Sequence, residues 1–326
     1  MAERLITLFS IKDSFESSMQ EFEIFTGNKL SIPNIQNHVE ELGEEISIKA
    51  KSESKMYEDI KLPSNGIIDI KDLIKNRVNK EIIYVGVDGT GVPTRAVKTR
   101  EAKVGIIFKE ESKWKLGKKR NQIVDKKYVA TLEDVDGFIP LLFKSYVDIT
   151  EGSDNYVVAC LGDGAYWIWK RFSEIFPNRI EILDFYHVSE YIWDVSKSNF
   201  TNDNEIKEWS EIQLNKLKES KLNLVVDELT FMLKITDNLL AQEHIKKALS
   251  YFDSHKNRMD YKSYLEAGLV IGSGVIESSN KLVVTKRLKQ GGMHWSIAGA
   301  ESIIFLRALY CSSGNEWNSF WEKKCA

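Results

Sequence analysis

The apolar run from Ile82 to Val87 constrains the fold of this chain more than any other segment. A run that is rich in β-branched residues and has no polar interruption predicts a strand buried on both faces. Such a strand needs a sheet with helices packed on each side. Asp88 follows the run directly, with Gly89 and Gly91 close behind it. The segment therefore predicts an α/β protein in which a carboxylate lies at the end of a central strand.

Further strands and helices alternate along the following hundred residues. Apolar runs predict strands at Val104–Phe108, Tyr128–Leu132, Tyr156–Leu161 and Ile180–Leu183. Helical spacing predicts helices over about 134–147, over 165–176 and from about 186 onward. The resulting order, βββαβαβα, is that of the ribonuclease H-like fold, a mixed sheet flanked by helices. Other α/β folds share parts of this order.

The segments outside the sheet pattern are predicted to be mainly helical. Helices are expected over 14–26, where Gly27 ends the pattern, and over about 31–48, followed by a polar linker. The chain is expected to divide into an N-terminal helical segment with its linker, a first part of the core, an all-helical insertion, and C-terminal helices of the core. Their ranges are 1–80, 81–199, 200–265 and 266–326.

Three acidic residues have glycine neighbours at predicted element ends. Asp88 and Asp163 follow predicted strands, and Glu277 lies at the start of a helical pattern after Gly272 and Gly274. Carboxylates that converge from separate elements repel one another unless a divalent cation joins them. Magnesium and manganese prefer such oxygen ligands, and two ions can stabilise both the attacking and the leaving oxygen of a phosphodiester.

Each acid also has an ordinary structural interpretation. An Asp-Gly pair after a strand is most often a turn, which applies to Asp88 and to Asp163. A glutamate near a helix start, such as Glu277, usually complements the helix dipole. The metal hypothesis depends on the three residues together, in the order Asp, Asp, Glu.

Asp184 and His187 form a possible auxiliary pair after the fifth predicted strand of the core. His187 could contact DNA near the scissile phosphate, and Asp184 competes with Asp163 for the second metal position. Alternatively, Asp184 caps a helix and His187 packs in its first turn. Asp163 is preferred as the ligand because its flanking glycines permit a closer approach.

A basic cluster follows Glu277 and is expected to contact a DNA backbone. Trp295 could stack on an unpaired base, although a tryptophan packed in the core is also expected at such a position. The candidate DNA-binding residues are Lys281, Lys286, Arg287, Lys289 and Trp295. A second basic stretch, Lys113 to Arg120, could serve the same purpose or be a solvated turn.

Composition limits the classes of protein to which the chain can belong. The net charge of −3 at pH 7 neither favours nor opposes binding to nucleic acid. No apolar run is long enough for a membrane span, and the three cysteines are far apart and form no zinc or disulfide pattern. The first ten residues have no basic region and no small-residue cleavage site, so a secreted protein is not expected. A cytoplasmic, nucleoid-associated protein without a membrane partner is expected.

Several motifs resemble those of the ISKra group of bacterial insertion-sequence transposases. The resemblance covers about residues 15 to 321, and its last block is the most specific. The motifs are Asp88–Pro93 (DGTGVP), Arg100–Gly105 (REAKVG), Leu161–Trp169 (LGDGAYWIW), Ile182–His187 (ILDFYH), Gly272–Ser278 (GSGVIES) and Arg287–Ser296 (RLKQGGMHWS).

The resemblance implies a ribonuclease H-like core that binds two Mg²⁺ or Mn²⁺ ions. Carried over by position, the DDE triad is Asp88, Asp163 and Glu277, and the long stretch between the last two corresponds to a helical insertion domain. Proteins of this group extend further at the N-terminus, so part of the region that recognises transposon ends is expected to be missing here.

The sequence thus predicts a DDE transposase that catalyses metal-dependent cleavage and strand transfer of an insertion sequence. Its expected partners are DNA at the transposon ends and at the target, and a homodimer is expected because two ends are paired. The alternatives are a stand-alone metal-dependent nuclease with the same site, and a non-catalytic DNA-binding remnant of a decayed mobile element.

Overall fold

A computed structural model describes residues 1–62, 66–68, 70, 81–115, 121–272, 274–313 and 315–325 of the chain. Most of the predicted linker after Tyr57 and the centre of the basic stretch, residues 116–120, lie outside these ranges. Contacts divide the chain into two compact units. The first unit comprises Met1–Pro63, Glu81–Tyr156 and Val275–Ala326, and the second comprises Ser64–Lys80 and Val157–Gly274.

The strands confirm the predicted class, a mixed α/β sheet accompanied by helices. In the first unit β2 lies between β5 and β1, in the second β6 pairs with β7, and β3 pairs separately with β4. β1 to β5 are Glu81–Pro93, Thr99–Lys109, Lys113–Lys115, Asn121–Ile123 and Lys127–Thr131. β6 and β7 are Tyr156–Gly162 and Arg179–Leu183.

In the first unit, helices precede, interrupt and follow the antiparallel strands β1, β2 and β5. α1 to α4 are Ala2–Ser10, Phe15–Thr26, Ile32–Ser54 and Val135–Thr150. After the second unit come α11 (Gly274–Asn280), a π-helix (Lys281–Thr285), α12 (Lys286–Leu288), α13 (Ile297–Cys311) and α14 (Glu316–Cys325).

In the second unit, β6 and β7 pair in parallel, with Leu161 opposite Ile182. Residues 200–265, which were predicted to be an all-helical insertion, cover to within one residue the last four α-helices described in this unit. α5 to α10 are Tyr166–Ile175, Phe185–Asn199, Asp203–Lys218, Leu222–Ile235, Leu239–His255 and Tyr261–Glu266. Short 3₁₀ turns lie at Lys55–Tyr57, Glu110–Ser112 and Lys256–Arg258.

Local capping explains why several helices begin and end where they do. The Ser14 hydroxyl accepts from the Ser17 N–H at the start of α2, and Gly27 ends that helix with φ 70°. A positive φ of this size favours glycine, as the sequence predicted. Ser31 caps α3 in the same way, with Pro33 in its first turn.

The central strand differs from the prediction in its length. β1 does not end at Val87 but continues to Pro93, with Asp88 paired opposite Val104. Gly89 and Gly91 stay in register with Lys103 and Glu101 instead of forming a turn. Asp88 is therefore a mid-strand residue. None of the described helices is long and apolar enough to cross a membrane.

Gly86 on β1 permits a close approach by α11. A Cβ added to Gly86 would lie 2.7 Å from Cγ1 of Ile276, whose side chain is buried. A larger side chain at this position would push α11 away from β1 or force Ile276 out of its rotamer.

Gly86→Val is expected to lower the free energy of unfolding by about 1–3 kcal/mol through overpacking, measured by urea unfolding. Gly291→Ala serves as the control, because nothing lies within 4 Å of a Cβ added there. Equal urea midpoints for Gly86→Val and the parent chain would show that the strand and helix do not need this contact.

Candidate metal centre

The Asp88 carboxylate on β1 accepts hydrogen bonds from the backbone and from a side chain. Its Oδ1 accepts from the Gly89 N–H at 2.7 Å, and its Oδ2 accepts from the side-chain amide Nδ2 of Asn280. The carboxylate is half-buried. A carboxylate must be ionised to bind a metal cation.

Asn280 comes from the continuous helical segment formed by α11, the π-helix and α12. It is the last residue of α11, and only 8% of it is exposed. Glu277 lies three residues earlier on α11 and is exposed. Residues three apart on a helix are neighbours on one face. Glu277 therefore projects from the same side of α11 as the residue that contacts Asp88.

Lys289 follows α12 and reaches β1 two residues beyond Asp88. Its Nζ donates to the hydroxyl of Thr90, which lies on the same face of the strand as Asp88. Burial lowers the pKa of Lys289, and the Asp88 carboxylate offsets part of that effect. A cationic side chain near Asp88 could also approach a bound phosphate.

Asp163 directly follows β6, as predicted, and forms a tight turn. Its Oδ1 accepts from the Ala165 N–H at 2.8 Å. A cavity of about 530 Å³ opens beside it within the second unit, and its polar lining includes His187, Glu190 and Asp194. Tyr191 and Tyr251 close one wall, with ring centroids 4.2 Å apart. The cavity is thus acidic and rimmed by aromatic rings.

The tyrosines of this wall remain neutral at physiological pH. Burial, with a smaller contribution from Asp163, raises the pKa of Tyr191. The pKa of Tyr251 is raised chiefly by burial. The pKa of His255, whose Nε2 would lie 2.9 Å from a Cβ on Gly164, is lowered by burial and by Arg258. The two tyrosines therefore add no negative charge to that of the carboxylates lining the cavity.

His187 and Asp184 have different roles in the first turn of α6. Asp184 is only 1% exposed and caps α6, accepting from the Tyr186 N–H at 2.8 Å. The Nδ1 of His187 lies 3.1 Å from an Oε of Glu190. Asp184 is therefore a helix cap, which was one of its two predicted roles. His187, in contrast, lines the acidic cavity.

Each unit contributes candidate metal ligands of its own, and all of them are half-buried. Asp88 in the first unit offers a carboxylate beside the Asn280 amide. Asp163 and His187 in the second unit line one cavity and offer a carboxylate oxygen and a ring nitrogen. Oxygen and imidazole nitrogen ligands suit a divalent cation such as Mn²⁺.

The candidate DNA-binding residues differ in exposure. Lys281 and Lys286 are exposed and Lys289 is half-buried. Arg287, in contrast, is fully buried. Its Nε donates to the carbonyl of Ser10 at 2.6 Å, and its guanidinium lies over the rings of Phe15 and Trp295. Arg287 therefore presents no exposed charge to a phosphate, and its position differs from the one expected.

Trp295 also belongs to the core of the first unit. It is 6% exposed, and its indole N–H donates to the carbonyl of Leu288 at 3.1 Å. This position agrees with the core interpretation that the sequence allowed. In this conformation the indole ring is too buried to stack on a base.

Arg307 supports the helical segment that carries Glu277 and Asn280, and sequence reasoning did not identify it. It is 4% exposed on α13 and donates to the carbonyls of Val283 and Leu282 in the π-helix. It also donates to the carbonyl of Ile11 at the end of α1. A π-helix leaves such carbonyls without their usual α-helical partners, and no local pattern in the sequence reveals one.

These features define an α/β protein with candidate metal ligands in both units, Asp88 in the first and Asp163 with His187 in the second. The chain belongs to the family described as "Uncharacterised protein family (UPF0236)", whose model matches residues 10–325. A curated relative from Streptococcus gallolyticus, named "UPF0236 protein in vanSb 3'region", is 25% identical over 308 residues. The match covers 92% of this chain and 61% of that relative, so the chain spans about three fifths of the relative's length.

Mn²⁺ at about 100 times its dissociation constant is expected to stabilise the protein by about 2.7 kcal/mol, seen as a rise in melting temperature. Asp88→Asn and Asp163→Asn should each abolish most of this rise, because a neutral amide is a weaker ligand for a divalent cation. The control is Asp154→Asn, an exposed aspartate outside the centre. An unchanged Mn²⁺ response in both site variants would exclude a metal centre at these residues.

Proposed function

We propose that this protein is a DDE transposase that cleaves DNA at the ends of an insertion sequence and transfers the freed 3′-hydroxyl to a target. The observation that carries the proposal is a half-buried acid with metal-ligand chemistry in each unit: Asp88 beside the Asn280 amide, and Asp163 in the cavity that His187 also lines. The resemblance of six motifs to the ISKra group supplies the reaction class.

Asp88 and Asp163 would hold the metal ions. When bound, Mg²⁺ or Mn²⁺ polarises the phosphate and stabilises the attacking and leaving oxygens. His187 would add an imidazole nitrogen, and its hydrogen bond with Glu190 would fix the orientation of the ring. An imidazole in the centre favours Mn²⁺ over Mg²⁺ as the ion for assays.

Glu277 would act on the attacking water rather than as an enclosed ligand. Its carboxylate is exposed on α11. An exposed carboxylate one helical turn from the Asp88 contact can orient a nucleophile that enters from solvent. Lys289 would offset the negative charge that develops on the phosphate. Its ammonium group contacts Thr90, two residues beyond Asp88 on β1.

The DNA contacts would come from the exposed lysines, not from Arg287. Lys281 and Lys286 extend outward from the segment that bears Glu277, so a phosphate backbone that passes Glu277 could meet both. A homodimer would allow two transposon ends to be processed together.

The purified chain should join a pre-cleaved end to supercoiled plasmid in the presence of Mn²⁺. The substrate is a linear DNA made from the segments that flank the gene, with a free 3′-hydroxyl. Asp88→Asn and Asp163→Asn are expected to reduce joining by at least about 10²-fold, because each removes a metal ligand. Glu277→Gln should reduce joining while leaving Mn²⁺ binding nearly intact.

Product analysis distinguishes the proposal from its rivals. Plasmid nicking without joined products would favour a stand-alone nuclease. DNA binding without nicking, together with no Mn²⁺-dependent stabilisation, would favour a non-catalytic remnant. Full joining activity in Asp88→Asn would refute the assignment of the centre.

A further inference from the structure

Asn280 has an unusual hydrogen-bonding state for a buried amide. It is about nine-tenths buried, its Nδ2 donates to Asp88, and its Oδ1 has no hydrogen-bond partner among the described residues. A buried polar oxygen without a partner costs about 1–3 kcal/mol. Buried side chains of this kind are normally paired, so an unpaired one calls for a specific reason.

The side-chain amide of Asn280 can present either its amino group or its oxygen to Asp88. A half-turn about the last side-chain bond replaces Nδ2 by Oδ1 without moving α11, since the two groups have almost the same size. Without a cation, two oxygens facing each other would repel, so the amino group faces Asp88. A divalent cation beside Asp88 reverses this preference, because hard ions accept amide oxygens as ligands.

We propose that Asn280 is a metal ligand of the Asp88 centre, with the amide turning over when a divalent cation binds so that Oδ1 joins the coordination shell. This inference rests on the metal-dependent function proposed above. It assigns the metal ligand on α11 to Asn280. Glu277, which is exposed three residues earlier, keeps its proposed role of orienting the attacking water.

The surroundings of Asn280 hold it in place for this role. Ile276 on the same helix packs against β1 at Gly86, and Asn280 is followed at once by the π-helix whose carbonyls bind Arg307. The backbone at Asn280 is thus fixed at both ends, and only the amide needs to move. A ligand on a fixed helix costs little conformational entropy on binding.

Mn²⁺ binding to the full chain, measured by isothermal titration without DNA, tests the assignment. Asn280→Ala should weaken Mn²⁺ binding about tenfold, because it removes one ligand. Asn280→Asp should bind Mn²⁺ at least as tightly as the parent chain, since a carboxylate replaces the amide oxygen. Without metal, Asn280→Asp should melt at a lower temperature than the parent, because two carboxylates then face each other.

The aspartate variant separates a ligand from a simple hydrogen-bond donor. If Asn280 served only to donate to Asp88, Asn280→Asp would lose as much Mn²⁺ affinity as Asn280→Ala, and the proposal would be overturned. Ser278→Asp adds the same charge at an exposed position of α11 and controls for general attraction. A gain in Ser278→Asp equal to that in Asn280→Asp would also overturn it.

The experiments distinguish failure of the ligand assignment from failure of the transposase proposal. Mn²⁺ binding that depends on Asn280, combined with no cleavage or joining of DNA, would reject the transposase and retain the ligand. Unchanged Mn²⁺ affinity in Asn280→Ala, combined with DNA joining by the parent chain, would reject the ligand and retain the transposase. Absence of any Mn²⁺ binding by the parent chain would overturn the ligand assignment.

Discussion

The burial of β1 on both faces is the constraint on which the first unit depends. Ile83, Tyr84, Val85 and Val87 are all fully buried, although successive residues point to opposite faces of a strand. A strand of this kind is stable only if apolar side chains cover each face. Gly86 meets Ile276 on one of them, so the cover includes the helix that carries Glu277 and Asn280. The packing that stabilises the strand therefore also positions side chains next to Asp88.

The local pattern predicted most of the secondary structure, because burial and capping depend on near neighbours. The strands of the sheet, the helices that follow them and the end of α2 at Gly27 could all be predicted in this way. The prediction for Asp88 was less accurate for a physical reason. Glycines after an aspartate usually signal a turn, but here cross-strand pairing with β2 keeps Gly89 and Gly91 extended.

The candidate centre could be predicted in part. Asp88 and Asp163 were identifiable because each follows an apolar run, and His187 because of its place near the start of a helix. Asn280 carries no such signal, since an amide within a helix is ordinary in sequence. Arg287 shows the opposite error. It stands among basic residues and was expected to face DNA, yet its partner is the Ser10 carbonyl, which lies 277 positions away along the chain.

Arg307 has a consequence for the order in which the protein is made. The residue binds the π-helix and also the end of α1, 296 positions earlier in the chain. During synthesis α1 leaves the ribosome first, whereas α13 leaves only when the chain is almost complete. The helix that bears Glu277 and Asn280 consequently acquires its arginine support among the last long-range contacts to form. A nascent chain arrested before Arg307 would contain Asp88, Asp163 and Glu277 but not the arginine that supports the helical segment carrying Glu277.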